Sequence, residues 1–247
     1  MKYSILIVTC KDGVETFLDD CISSIEKTTI LDNSIEIIVV GSGLTDEGKE
    51  YFHSLESKPY NIKTFEYEDP VGHAIAANKA ASMASGEYLI KLDDDTQILD
   101  WGKDNEWIRI LEEPFHMDVF NTGITGSTSI IDPCIKRYLL IGFVLMIKKS
   151  LFDDVLGYNE TFYKTQGDDA DLCWKVEDIG YDLIVTPQNC LASEKEGSDE
   201  FLFPIYHVSN AVFFHDDFHK IRKRNQQLLN LIYMNPIAYA NYIKEGK

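Results

Sequence analysis

The sequence predicts an α/β protein in which a mostly parallel β-sheet carries helices on both faces. Short β-branched runs are typical of strands buried on both faces, and they alternate with segments of helical periodicity. Composition agrees, because 45% apolar residues in a chain of 247 are enough for a sizeable core. Ligands of such sheets bind at the carboxyl ends of the strands, so we expect the functional site there.

The first 100 residues predict strands and helices in regular alternation. Apolar residues recur at helical spacing between Val14 and Lys27, and Gly86 is typical of a helix end. The predicted strands are 3–9, 34–40, 62–67 and 88–92, and the predicted helices are 14–27, 46–55 and 71–85. This order predicts a parallel sheet whose fourth strand ends in the acidic run Asp93–Asp95.

The second half of the chain is less regular. It predicts a helix over 103–113 that Pro114 stops, one long apolar strand over 139–147 and a helix over 171–179. A polar loop is expected over 193–200 and an amphipathic helical tail from residue 213 onward.

Charge and composition exclude several classes of protein. The formal net charge of −18 would repel phosphate backbones, which argues against a nucleic-acid partner. No apolar run approaches the ~18 residues of a membrane span, and the first residues do not resemble a signal peptide. The five cysteines lack zinc-ligand spacing and are expected to be reduced thiols. We therefore expect a cytoplasmic protein without a transmembrane segment.

The acidic run after the fourth strand is the first candidate site. Asp93 and Asp95 are two residues apart, so in extended geometry both project to one side, where they disfavour each other unless a cation is present. Magnesium and manganese bind one or two carboxylates together with phosphate oxygens. A solvated acidic turn that caps the next helix explains the same spacing.

A second acidic cluster, Gly167–Asp171, lies at the start of a predicted helix. Helix capping explains carboxylates at this position, because the helix dipole stabilises them. A general base is the other interpretation, since a carboxylate among like charges is a better proton acceptor. None of the six histidines has metalloprotease spacing, and Gly41–Gly43 lacks the third glycine of a dinucleotide-binding loop.

Four segments in this order resemble the family 2 glycosyltransferases, which have the GT-A fold, and the resemblance covers roughly residues 3–190. The family's opening strand and turn are similar to SILIVTCKD, and its second strand to EIIVVGSGLTDEG. Its central glycine, asparagine and DxD segment is similar to VGHAIAANKAASMASGEYLIKLDDDT. Its acceptor-side segment is similar to GFVLMIKKSLFDDVLGYNETF followed by GDDADLCWKVEDIGYDL.

The resemblance implies an inverting, metal-dependent glycosyltransferase of surface glycan or polysaccharide synthesis. The donor would be a nucleotide-diphosphate sugar, most simply a UDP-sugar, and the acceptor a glycan or a lipid-linked glycan. Asp95 would bind Mn2+ or Mg2+, and Asp169 would be the catalytic base. The donor-binding residues implied are Thr9, Lys11, Ser42, Asn78, Asp93 and Asp94, and the acceptor-side residues are Gly142, Asp168 and Asp171.

Three departures from the family pattern bear on the site. The acidic pair usual after the second strand is Gly41-Ser42, which leaves the nucleobase open. The usual Glu-Asp of the acceptor motif is Asp168-Asp169. The metal-binding histidine expected soon after Pro187 is absent, and His207 is the expected replacement because the apolar segment before it would dock on the domain.

The resemblance also suggests how the chain is divided. Residues 1–212 would be the catalytic domain, with a nucleotide-binding half to residue 100 and an acceptor half from 101, and residues 213–247 a helical tail. The basic run Lys220–Arg224 in this tail would close over the donor phosphates as a lid, contact acidic lipid at the inner face of the membrane, or be a solvated helix surface.

Two other functions remain open from the sequence. One is a nucleotide-sugar-binding protein of the same fold without turnover. The other is a sugar nucleotidyltransferase, although TCKDGVETF is a poor version of the glycine-rich basic loop of that class.

Overall fold

A seven-stranded sheet forms the centre of the structure, a computed structural model that describes residues 1–162, 167–186, 204–207, 218–237 and 240. The strands are β1 (Tyr3–Cys10), β2 (Ile35–Ser42), β3 (Ile62–Tyr67), β4 (Tyr88–Asp93), β5 (Thr96–Ile98), β6 (Thr122–Gly126), β7 (Ser129–Ile131), β8 (Tyr138–Leu140), β9 (Val144–Lys148), β10 (Asp182–Val185) and β11 (Ile205–His207). The helices are α1 (Lys11–Thr16), α2 (Leu18–Thr28), α3 (Asp46–Ser54), α4 (His73–Met83), α5 (Glu106–Glu112), α6 (Lys149–Asp154), α7 (Asp168–Asp178) and α8 (Phe218–Met234).

The sheet has the order β10-β6-β9-β4-β1-β2-β3. Strands β4, β1, β2 and β3 are mutually parallel, as are β10 and β6, whereas β9 is antiparallel to both of its neighbours. Strand β6 therefore runs in the same direction as β4, and the two end at the same edge of the sheet, which we call the carboxyl edge. The predicted class, a mostly parallel sheet covered by helices, is confirmed.

Alternating side chains of the strands pack into two apolar layers, one on each face of the sheet. In β1, Ile5 and Ile7 pack with α2 and α5, whereas Leu6 packs with α4 and α7 on the other face. Burying an isoleucine or leucine side chain contributes roughly 1.5–3 kcal/mol, so both layers hold the sheet rigidly. This rigid sheet fixes the positions of the side chains at its carboxyl edge.

Two sequence predictions of local structure were wrong. Residues 139–147 do not form one strand, because Ile141–Phe143 separate β8 from β9 and turn the chain at the carboxyl edge. The helix predicted over 14–27 is split at Phe17 into α1 and α2. In addition, α7 begins at Asp168, three residues earlier than predicted, which places both Asp168 and Asp169 in its first turn.

Helix α8 belongs to the same core as the rest of the chain. Leu228 and Leu229 are buried in the layer that α4 and α7 form, and Tyr233 packs edge to face on Trp174 with ring centroids 4.8 Å apart. Among the described residues, no helix is long and apolar enough to cross a membrane. The loop predicted over 193–200 lies outside the described residues.

Candidate active site

The three aspartates at the end of β4 face different partners. Asp93 accepts a hydrogen bond from Lys91, and Asp94 accepts one of 2.7 Å from the Thr9 hydroxyl. Asp95 is 6% exposed and faces His207. The run therefore offers Asp93 and Asp95 to a common space, while Asp94 turns towards β1.

A possible metal site forms where β11 joins the small sheet with β5. The antiparallel pairing of His207 with Thr96 brings the imidazole Nε2 to 3.1 Å from Oδ1 of Asp95 and 3.8 Å from Oδ2 of Asp93. The ligand atoms of these three residues all lie within 4.8 Å of one another. The His207 ring stacks on Phe143 at 4.5 Å with an interplanar angle of 9°, which fixes its orientation.

The donor set of this cluster fits a divalent cation. Carboxylate oxygens suit magnesium and manganese, and a single imidazole is compatible with manganese. Two carboxylates and one imidazole also leave room for water and phosphate oxygens around an ion. The sequence predicted both Asp95 and His207 as ligands, and the structure brings the two together.

Lys91 connects the donor side of the carboxyl edge to the acceptor side. It is 6% exposed, and its ammonium group donates hydrogen bonds to Oδ1 of Asp93 and to the backbone carbonyl of Gly142. Burial acts to raise the pKa of Asp93, but the charges of Lys91, His73 and His207 together outweigh it and the pKa is lowered. Asp93 is therefore held as a carboxylate.

Asp94 is enclosed by the first turn of the chain after β1. A Cβ atom at Gly13 would overlap the Asp94 carboxylate, so α1 approaches as closely as it does because residue 13 is glycine. Burial is the main cause that raises the pKa of Asp94 to about 7.

The acceptor side of the edge is built by the first turn of α7. Gly167, with φ of 95°, precedes this turn in a conformation that favours glycine. Asp168 is 2% exposed and lies 2.6 Å from Nδ1 of His73, whereas Asp169 packs against Gly142, where any Cβ would overlap its carboxylate. Within the part of the chain that the structure describes, the buried Oδ1 of Asp169 has no hydrogen-bond partner.

The surroundings of Asp169 favour a base. Burial and then the charge of Asp168 raise the pKa of Asp169 to about 6. The group is therefore ionised at neutral pH yet more basic than an ordinary aspartate, which is what general-base catalysis requires.

His73 is the functional candidate that the sequence did not single out. It is the first residue of α4, and its ring meets Tyr158 edge to face. Its buried Nε2 has no hydrogen-bond partner among the described residues. Burial and Lys91 act to lower the pKa of His73, but Asp168 and Asp169 together outweigh them and the pKa is raised. Its place at a helix start on the carboxyl edge was the available signal, but a lone histidine at such a place is not diagnostic.

Three residues that the family resemblance assigned to the site form hydrogen bonds to other parts of the chain instead. The Asn78 amide donates to the Tyr158 carbonyl and accepts from the Tyr158 amide, both at 2.9 Å. The Ser42 hydroxyl accepts from the Val71 amide at 2.8 Å. Asp171 accepts from the Tyr233 hydroxyl at 2.9 Å and therefore faces α8.

Lys11 is an exposed residue at the start of α1. Contact of Lys11, Ser42 or Asn78 with a nucleotide, and of Asp171 with an acceptor, stays a prediction.

Known proteins are similar to this chain in sequence and in fold. The profile of the family described as "Glycosyl transferase family 2" matches residues 4–122. The poly-beta-1,6-N-acetyl-D-glucosamine synthase of Staphylococcus epidermidis is 26% identical over 207 residues, which cover 74% of this chain and 47% of that protein. The chain spans less than half the length of the curated relatives that it matches.

Solved structures share the fold at low identity. The mannosyltransferase PcManGT from Pyrobaculum calidifontis, solved with GDP-Man and Mn2+, has a TM-score of 0.63 at 17% identity and covers 100% of this chain and 65% of its own. TarS 1-349 of S. aureus with UDP-GlcNAc has a TM-score of 0.55 at 16% identity and covers 93% and 67%. The resemblance seen in the four sequence segments is confirmed. Residues 4–122, just under half of the chain, match the profile of glycosyl transferase family 2, and the fold of the chain is the GT-A fold.

Proposed function

We propose that the protein is an inverting, metal-dependent glycosyltransferase that moves a sugar from a nucleotide-diphosphate sugar to an acceptor hydroxyl. The observation that carries the proposal is that the Asp93, Asp95 and His207 cluster and the Asp169 carboxylate share one sheet edge. Lys91 joins the two groups through Asp93 and the Gly142 carbonyl. A non-catalytic binding protein would not need both a cation cluster and a carboxylate of raised pKa.

The donor would be held on the side of the cation cluster. Asp95 and His207, with Asp93, would hold Mn2+ or Mg2+, and the bound ion would neutralise the diphosphate and stabilise charge on the departing nucleotide. An acidic chain of net charge −18 needs such a cation to bind a diphosphate. Thr9 and Asp94 lie on the β1 side of the same edge, where we place the nucleoside.

The chemical step would use Asp169 as the base. Its carboxylate takes the proton of the acceptor hydroxyl, and the hydroxyl oxygen forms a bond to the anomeric carbon of the donor sugar. The bond from that carbon to the diphosphate oxygen breaks, and its electron pair leaves with the nucleotide. Attack from the side opposite the leaving group inverts the configuration, which fits a base that lies apart from the cation cluster.

The finer identity of the substrates is also proposed. The S. epidermidis synthase and the TarS structure with UDP-GlcNAc support a UDP-sugar donor, and the synthase supports surface glycan or polysaccharide synthesis. The acceptor would be a glycan or a lipid-linked glycan. We place the reaction in the cytoplasm, with peripheral contact at the inner face of the membrane.

Calorimetry with a panel of nucleotide-sugars, in manganese and in chelator, tests the metal-dependent part. Wild-type protein should bind its donor only in manganese, and Asp95→Ala should lose this binding because the cluster loses its most buried carboxylate. Asp104→Ala, an exposed aspartate before α5, is the matched control and should bind normally. Equal donor affinity with chelator present would contradict metal dependence.

Transfer to an acceptor tests the rest of the proposal. The donor that binds should be consumed together with a glycan acceptor, and the anomeric proton of the product should show the opposite configuration by NMR. A product that keeps the donor's configuration would exclude inversion. Binding without any turnover would favour the non-catalytic alternative.

A further inference from the structure

A two-stranded hairpin starts at the carboxyl edge, next to the acceptor side of the site, and folds back along α7, because Arg137 at its turn pairs with Glu177 and Asp178 at the end of α7. Strand β6 ends at this edge, β7 and β8 form the hairpin, and β9 starts back from the same edge. Two apolar side chains of β7 are exposed to solvent: Ile130 is 47% and Ile131 is 65% exposed. Exposed β-branched residues that neighbour each other are typical of an interaction surface.

Helix α8 places basic residues beside this hairpin. Nε2 of Gln226 donates a hydrogen bond of 3.3 Å to Asp132, the residue that follows β7. Arg222 lies one helical turn before Gln226 and is therefore on the same side of α8, towards the hairpin. Its neighbour Lys223 is exposed, as is Lys136 in the hairpin turn.

The direction of α8 brings its first turns to the carboxyl edge. Leu229 lies beside Gly167, and Tyr233 reaches Asp171, so α8 runs alongside α7 in the same direction. At about 1.5 Å per residue, Arg222 lies roughly 10 Å beyond the level of Gly167. The basic turns thus project on the same side of the molecule as Asp169, and Gln226 links them to the hairpin.

Charge on this surface contrasts with that of the rest of the chain. The net charge is −18, yet residues 220–224 contain four lysines and arginines. Arg224 donates a hydrogen bond to the Thr161 carbonyl, whereas Arg222 and Lys223 have no ion pair within the part of the chain that the structure describes. Two aspartates, Asp216 and Asp217, precede the helix in the sequence. Their negative charges offset part of the positive charge, so the cations alone would attract an anionic partner only modestly.

We propose that Ile130, Ile131, Lys136, Arg222 and Lys223 form a docking surface for an anionic lipid bilayer. The isoleucines would enter the interface between headgroups and acyl chains, and the three cations would contact lipid phosphates. A soluble polyanion would bind the cations but would leave the isoleucines in water. Screening within about 8 Å at physiological salt lets this local surface act in spite of the net negative charge.

Docking in this way would present the acceptor side of the site to the membrane. Gly142 follows the hairpin directly, and Asp169 packs on it, so an acceptor carried by lipid would meet the base without leaving the bilayer surface. This consequence rests on the proposed transferase function, whereas the docking itself does not.

Sedimentation with vesicles tests the docking surface. Vesicles would be made of phosphatidylcholine alone or with about one third phosphatidylglycerol, whose negative charge attracts basic segments. The apolar variant is Ile130→Ser with Ile131→Ser, and the basic variant is Arg222→Gln with Lys223→Gln. The matched control is Ile30→Ser with Lys27→Gln, which removes one exposed apolar residue and one exposed cation at the opposite edge of the sheet.

Wild type and control should bind the anionic vesicles, and each docking-surface variant should bind them at least about tenfold more weakly. Binding of the wild type should fall with salt and be weak on neutral vesicles. No binding of wild type to anionic vesicles, or equal binding of all variants, would overturn the proposal. Loss in the basic variant alone would also overturn it and would point to a soluble polyanion.

Turnover of a water-soluble acceptor separates this proposal from the transferase function. The docking-surface variants should keep wild-type turnover of such an acceptor, because none of the changed residues belongs to the site. Vesicle binding without turnover of any acceptor would leave docking supported and the transferase function refuted. Turnover without vesicle binding would support the transferase function and refute docking.

Discussion

Nδ1 of His73 lies 2.6 Å from Oδ2 of Asp168, and this pair stands next to the carboxylate of Asp169. The pKa of His73 is raised and that of Asp168 is lowered, which favours an imidazolium next to a carboxylate. For Asp168, burial opposes the shift, but the charge and hydrogen bond of His73 together with the charge of Lys91 outweigh it. His73 therefore compensates one of two adjacent negative charges and makes it easier to ionise the other.

The first prediction follows from this compensation. With a pKa of about 6, Asp169 must be ionised to act, so kcat should fall by half as pH decreases through about 6. His73→Gln removes a positive charge that lowers the pKa of Asp169, so the acid limb of kcat should move to higher pH. His53→Gln, an exposed histidine paired with Glu66, is the control. An unchanged acid limb in His73→Gln would remove His73 from this role.

Asp169→Asn should lose turnover and keep donor affinity. Removal of a positioned base typically lowers kcat by ~10²–10⁴-fold, which is measurable in a transfer assay. Asp154→Asn, an exposed aspartate of α6, should be as active as wild type. If Asp169→Asn were fully active, Asp169 would not be the catalytic base and Asp168 would be tested next.

The same variant should be more stable than wild type at neutral pH. The pKa of Asp169 in the folded protein, about 6, exceeds the ordinary value of 3.8, so folding favours the protonated form. Ionised Asp169 therefore destabilises the fold above pH about 6, and the penalty disappears as pH falls below the ordinary value. Thermal unfolding at several pH values checks this: the difference in Tm between the variant and wild type should shrink in acid.

Gly142→Ala should damage the site through Asp169. The backbone of Gly142 is not in the left-handed region, so the Asp169 carboxylate is the obstacle to a Cβ. Crowding of this kind typically costs about 1–3 kcal/mol. Gly142→Ala should therefore lower both stability and kcat, and its stability cost should be smaller in an Asp169→Ala background. Equal costs in both backgrounds would show that the two residues do not compete for space.

Lys91→Met should destabilise the fold more than Lys91→Arg. The methionine would leave the Gly142 carbonyl without its donor and Asp93 without its cation, at a cost of about 1.5–3 kcal/mol for hydrogen bonds to a charged group. Arginine keeps the charge and recovers part of the loss. Chemical denaturation measures the effect, and Lys103→Met, an exposed lysine, should change little. A fully stable Lys91→Met would show that water replaces the ammonium group.

The sequence predicted those parts of the fold that depend on local patterns. Strands β1 and β2 are mostly apolar runs, and such runs indicate buried parallel strands without knowledge of the rest of the chain. The sequence also predicted the acidic site residues, because they lie at the ends of predicted elements. Asp93 and Asp95 lie at the end of a strand, and Asp169 lies near the start of a helix. The resemblance to a family added His207 as the residue expected in place of a missing ligand.

Features that depend on distant contacts were missed. The apolar run over 139–147 contains a turn that no periodicity reveals, because apolar residues occupy the turn as well as both strands. Lys91 and His73 gained importance only through β9 and α7, whose contacts join residues far apart in the sequence. A charged residue inside a predicted strand was a signal, since burial of a lysine requires a partner.

The antiparallel position of β9 has a consequence for synthesis of the chain on the ribosome. Strand β4 lies between β1 and β9, so its outer edge from Tyr88 to Leu92 stays bare until Val144–Lys148 leave the exit tunnel. A nascent chain that has completed only the family-matching residues 4–122 would carry this apolar edge unprotected, a template for pairing with another chain. A fragment made from the first half alone is therefore expected to aggregate through this edge.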